Sequence, residues 1–171
     1  MEDGADVAAS LFDDDDPFKG VEPASAEVVE APDPAQPWLH WMRAFERAPD
    51  DAARAAAMAA AADVARRRPD DGDQMRDDGL LDLALTPLTA LPRPQDCPAP
   101  VAAACLACIA HLCCPNSRTR HALRGREALS PLVACLGAED GAVVAKAAFA
   151  LRNALYANNP NIRAAVQLGA V

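Results

Sequence analysis

Aromatic side chains are scarce in this chain, whose 171 residues include four Phe, two Trp and one Tyr. That scarcity weighs against a β-sheet, whose half-buried faces draw on aromatic and β-branched residues. The apolar fraction of 51% leans on alanine, which has the highest helix propensity and lets helices approach closely. Long apolar runs are missing as well. The richest stretch, Ala52 to Ala65, is interrupted by Arg54 and Asp63, so no membrane span is expected. No export signal is expected at the N-terminus, because Met1 to Asp16 is acidic and has no apolar core. The six cysteines (Cys97, Cys105, Cys108, Cys113, Cys114 and Cys135) are therefore expected as reduced thiols of a cytoplasmic protein, with the nucleus also open.

Catalytic signatures are absent too. His40, His111 and His121 are scattered, and the sequence holds no nucleophile elbow, phosphate loop or dinucleotide fingerprint. The acid run Asp13 to Asp16 lacks the glycine and distal glutamate of a calcium loop. Cys105 and Cys108 stand i, i+3 on an apolar helical stripe, a pattern of buried thiols rather than of paired zinc knuckles on turns. No enzymatic activity, cofactor or metal is expected.

Charge divides the chain. Residues 1–36 hold eleven acids and a single base, Lys19, whereas the remaining 135 residues hold fourteen acids and fifteen bases. A nearly neutral body lacks the basic stripe that nucleic-acid binding needs. Residues 1–36, with prolines at 17, 23, 32 and 34 and little apolar periodicity, are expected to form a disordered acidic tail. Within it, Asp16-Pro17-Phe18 matches a tripeptide bound by endocytic adaptor appendages, which leaves a trafficking adaptor as a third reading.

Residues 37–171 are expected to be helical. Trp38, Trp41, Met42 and Phe45 fall at helical spacing behind Pro37. Pro49-Asp50-Asp51 starts a second helix, which closes with Arg66-Arg67-Arg68 and Pro69. Asp73–Asp78 reads as a short helix or turn, and Gly79-Leu80-Leu81 opens another helix. Prolines 92, 94, 98 and 100 impose a stiff loop before Val101. From there a repeat emerges, since residues 101–129 align without a gap on residues 143–171 at a period of 42. One apolar stripe consists of Ala102, Cys105, Leu106, Ile109, Leu112 and Cys113; its counterpart consists of Val144, Ala147, Ala148, Leu151, Ala154 and Leu155. Both follow the i, i+3, i+4, i+7 spacing of a buried helical face. A period near 40 with two or three helices per unit indicates an all-α, armadillo- or HEAT-like right-handed solenoid. Leu168-Gly169-Ala170-Val171 offers no polar cap, so the sequence is expected to be a fragment or to meet a partner there.

Lys146-Ala-Ala-Phe149-Ala-Leu151-Arg-Asn153-Ala-Leu155, followed by Asn158-Asn159-Pro160-Asn161-Ile162 and Leu168-Gly169-Ala170-Val171, resembles the armadillo consensus over residues 101–171. A narrower resemblance runs through Ala59-Ala-Ala-Ala-Asp63-Val64, Asp70-Asp71-Gly72-Asp73 and Asp78-Gly79-Leu80-Leu81. These phrases look like the first repeat of the armadillo-type nucleotide-exchange factors of heat shock protein 70. That resemblance implies a concave surface gripping one lobe of the chaperone's nucleotide-binding domain, with an N-terminal segment that competes for its substrate site. The alternative is a general armadillo scaffold holding an extended peptide in its groove.

Five residues are candidates for contact with a partner. Asn153 has the spacing of the armadillo asparagine that faces the groove, and its amide can both donate to and accept from a peptide backbone. It could equally bond the backbone of a neighbouring repeat. Phe149 lies four residues before it, and His111 is its counterpart 42 residues earlier. His111 either touches a partner or is solvated. Lys146 and Arg152 offer charge to an acidic ligand or form part of a solvated face.

Overall fold

The structure, a computed structural model, describes residues 31–170. Among them it is all-helical: α1 (Pro37–Arg47), α2 (Asp51–Arg67), α3 (Gly72–Asp77), α4 (Leu80–Thr89), α5 (Ala99–Cys113), α6 (Ser117–Gly125), α7 (Leu129–Ala134), α8 (Gly141–Leu155) and α9 (Asn159–Gln167). No strand occurs among the described residues.

Local chemistry fixes the helix ends. Asp50 accepts from the Ala53 amide at 2.7 Å and starts α2, while Asp140 accepts from Ala142 and Val143 at 2.8 and 3.1 Å and starts α8. Asn116 and Asn158 do the same for α6 and α9 through the amides of Thr119 and Asn161. Each such cap satisfies backbone donors that have no partner inside the helix. Arg66 and Arg67 lie in the last turn of α2, where the dipole favours cations, and Pro69 follows. Helix α5 has no side-chain cap, and Pro100 occupies its first turn, where the missing N–H costs nothing. Gly79, at φ +96°, makes the left-handed turn from α3 into α4.

Elements three apart in the chain touch. Helix α2 packs along α5 and α5 along α8; α3 meets α6 and α6 meets α9; α4 meets α7. Helix α1 lies against α2. There Trp38 donates from Nε1 to Asp78 at 2.8 Å, and the Arg68 guanidinium stands 5.5 Å from its ring centroid. Helix α5 is therefore sandwiched, and its Val101 to Leu106, Cys108 to Ala110, Leu112 and Cys113 are all buried. Burying Leu106, Ile109 and Leu112 contributes about 1.5–3 kcal/mol each.

The expected stripe on α5 is buried throughout, but the one on α8 is rotated. Ala148 is exposed, and Val144 and Leu155 are only half-buried, whereas Val143, Ala147, Ala150, Leu151 and Ala154 face inward. In an alanine-rich helix almost every phase reads as apolar, so the larger neighbours on α5 decide which face turns in. Most of the expected tail, residues 1–30, lies outside the described residues. Just before α1, Gln36 donates to the Asp33 carbonyl at 3.1 Å, and Arg68 donates to the Pro34 carbonyl at 2.9 Å. Asp13 to Asp16 and Asp16-Pro17-Phe18 lie outside the described residues.

Candidate functional site

Of the seven pairs joined by a long-range side-chain hydrogen bond among the described residues, six share one range of spacing, and the seventh, Arg68 to Pro34, spans 34 residues. Trp38 to Asp78 spans 40 residues, Asn161 to Arg120 spans 41, Asn116 to Asp73 and Asn153 to Ala110 span 43, Arg126 to Asp82 spans 44, and Arg118 to Asp73 spans 45. The sequence period of 42 thus reappears as the reach of the polar contacts between neighbouring helices.

Several of these contacts repair helix ends. At the end of α5 the Cys114 amide turns to the His111 carbonyl, which draws it away from Ala110. Asn153 supplies a donor to the Ala110 carbonyl at 3.0 Å. At the end of α8 the Asn158 amide turns to Leu155, and Asn161 Nδ2 donates to the carbonyl of Ala154 at 3.0 Å as well as to that of Arg120 at 2.8 Å. Arg120, almost fully buried, donates to the Cys113 carbonyl at 3.0 Å and holds its guanidinium 5.7 Å from the Tyr156 ring centroid. Buried carbonyls left without donors would cost about 1–3 kcal/mol each, which explains why polar side chains lie in these seams.

His111 on α5 and Phe149 on α8 meet edge to face, with ring centroids 5.6 Å apart. Burial first, then the nearby charges of Arg66 and Lys146, push the His111 pKa down to about 4, with Asp63 opposing them. The imidazole is consequently neutral at physiological pH. Asp63 itself is ion-paired with Arg66 at 2.7 Å and Arg67 at 2.8 Å. Three adjacent helices therefore contribute to one face: Asp63, Arg66 and Arg67 from α2, His111 from α5, and Lys146 and Phe149 from α8.

Of the five sequence candidates, His111, Phe149 and Lys146 come together on this face. Asn153 is 9% exposed, and its amide donor is engaged by α5. Arg152 is exposed, and no hydrogen bond or ion pair among the described residues joins it to the other four. Sequence reasoning passed over Asp63, Arg66 and Arg67 as partners of His111, because the period maps His111 onto Pro69 and not onto the preceding turn of α2. Arg120 and Asn161 were missed as well. The alignment of Asn116 with Asn158 was the available signal that polar residues recur in the seams.

Two surface cavities lie elsewhere. One, of about 450 Å³, is lined by Arg93, Asp96, Glu139, Asp140 and Val143 among others; the second, of about 400 Å³, is lined by residues including Leu129, Ala164 and Leu168. Neither includes a candidate residue. Five cysteines are buried thiols with raised pKa values, Cys108 and Cys113 reaching about 12 and Cys97 about 11, whereas Cys114 is exposed. No helix among the described residues is long and apolar enough to cross a membrane.

No protein family, no curated protein and no solved structure matches the chain.

Proposed function

We propose that residues 37–170 form an armadillo-type solenoid that binds another protein through the face containing His111, Phe149 and Lys146. The observation that carries this reading is the 40- to 45-residue reach of six of the seven long-range side-chain hydrogen-bonded pairs among the described residues. In a solenoid each repeat contacts only its neighbours, so contacts recur at the repeat length and one face stays open for a partner. The candidate face is shared by three neighbouring helices and lies outside both cavities, so it suits a macromolecule better than a small ligand, which needs a concave pocket.

The partner we propose is the nucleotide-binding domain of a heat shock protein 70, with the chain acting as a nucleotide-exchange factor in the cytoplasm. The narrower sequence resemblance supports this choice, and so does the state of Asn153. A peptide-binding groove needs the asparagine amide free and accessible to a peptide backbone, and here the residue is buried with one of its two N–H donors given to Ala110. What remains on the face is a ring pair flanked by cations, which suits the surface of a folded lobe. Exchange follows if binding to one lobe favours the open cleft, and the shift equals the difference in affinity between open and closed states. Release of labelled ADP from the chaperone is expected to accelerate when this protein is added; an unchanged rate eliminates the exchange-factor reading.

A further inference from the structure

We propose that the chain's own acidic N-terminal segment, centred on Asp13 to Asp16, docks on the His111–Phe149 face and competes there with a partner. The inference rests on the reading of that face as the binding surface.

Three observations carry it. The first is where the segment leaves the fold. Arg68 donates to the Pro34 carbonyl at 2.9 Å, which pins the exit of the chain at the C-terminal end of α2, next to Arg66 and Arg67. That helix end is the one whose Arg66 acts on His111. The second is charge. Residues 1–30 hold ten acids and one base, whereas the face they would meet carries the cations Arg66, Arg67 and Lys146. Lys146 and Arg152 on α8 have no carboxylate within ion-pair distance among the described residues. Asp63 is the acid on the face, and it is already shared between Arg66 and Arg67.

The third is reach. Eighteen residues separate Asp16 from Pro34 inclusive of one end, and at about 3.3 Å per residue they span up to about 60 Å. Crossing from α2 over α5 to α8 takes two interhelical spacings, about 20 Å. The acid run can therefore lie over Lys146 at far less than full extension. Tethering at that length raises its effective concentration to the millimolar range, so weak ion pairs suffice for occupancy. Leu11, Phe12 and Phe18 flank the acids and bring apolar side chains to the ring pair.

The test compares isotope-labelled full-length protein with a full-length variant carrying Asp13→Asn, Asp14→Asn, Asp15→Asn and Asp16→Asn. At low ionic strength the amide signals of His111, Lys146, Phe149 and Asn153 are expected to differ between the two proteins. At about 1 M salt, where the screening length falls to about 3 Å, they are expected to coincide. A synthetic peptide copying residues 10–20, added to the variant, should restore the shifts and bind several-fold more weakly once Lys146→Gln is introduced. Coincident spectra at low salt, or differences confined to other helices, overturn the proposal. Binding of the isolated chaperone domain is measured on both proteins, and the variant is expected to bind several-fold more tightly. Identical spectra with intact chaperone binding sink the docking of the segment alone. Differing spectra with no chaperone binding to either protein support the docking and sink only the choice of partner.

Discussion

Asn153 on α8 donates its side-chain amide to the carbonyl of Ala110 on α5, 43 residues earlier and 3.0 Å away. That carbonyl belongs to the last turn of α5, where helical donors run out, so the asparagine joins two units at a point that would otherwise hold a buried unpaired acceptor. Asn153→Ala is expected to lower the unfolding free energy by about 1–3 kcal/mol, read from denaturant midpoints. A change within about 0.5 kcal/mol would mean that the amide serves a ligand and not the fold.

His111 makes stability depend on pH. Its folded pKa lies near 4, below the value of about 6.5 in an unfolded chain. Between those values the unfolded state takes up a proton that the folded state refuses, so stability present above pH 6.5 is lost as pH falls towards 4. Solvent screens part of the effect at this half-buried ring, and the expected loss is about 1–2 kcal/mol. Denaturation curves of the protein and of His111→Gln, recorded from pH 7 to pH 4, should diverge in that window. Parallel pH dependence in the two proteins would remove His111 as its source.

Much of the helical layout was legible because its signals are local. Asp50, Pro69, Gly79 and the proline-rich loop before Val101 announce helix ends through capping, ring constraints and positive φ, which need no knowledge of neighbours. The rotation of α8 was not legible. Its alanines carry almost no phase information, and the choice between Ala148 and Ala150 as the buried residue is made by α5. The site was half readable. The period brought His111 and Asn153 into correspondence, but the charges around His111 come from α2, whose register against α5 is set by packing.

The cysteines provide a third check. Burial pushes Cys97, Cys105, Cys108, Cys113 and Cys135 up, so that at pH 8 they carry little thiolate, and thiolate is the reactive form. Cys114 is exposed. A soluble alkylating reagent is expected to modify Cys114 rapidly in the folded protein and the other five only after denaturant is added. Mass spectrometry of digests locates the label, and fast modification of Cys105 or Cys108 would contradict their burial.

The seam between α2 and α5 is built from small side chains, and this closeness can be tested by adding bulk. Ala57, Ala61, Ala62 and Ala65 on α2 are buried, and Ala61 is 1% exposed. Helix α5, which packs along α2, is itself rich in Ala and Cys, and Ala103, Ala104 and Cys108 are buried as well. Ala61→Leu adds three heavy atoms where none fit, and both helices must separate or the new side chain must adopt a poor rotamer. Overpacking of this kind costs about 1–3 kcal/mol. Exposed Ala148→Leu on α8 adds the same atoms in open solvent, with an expected change within about 0.5 kcal/mol. Thermal or denaturant unfolding of the two variants should separate them by more than about 1 kcal/mol. Equal stabilities would mean that α2 and α5 do not approach as closely as their alanines allow.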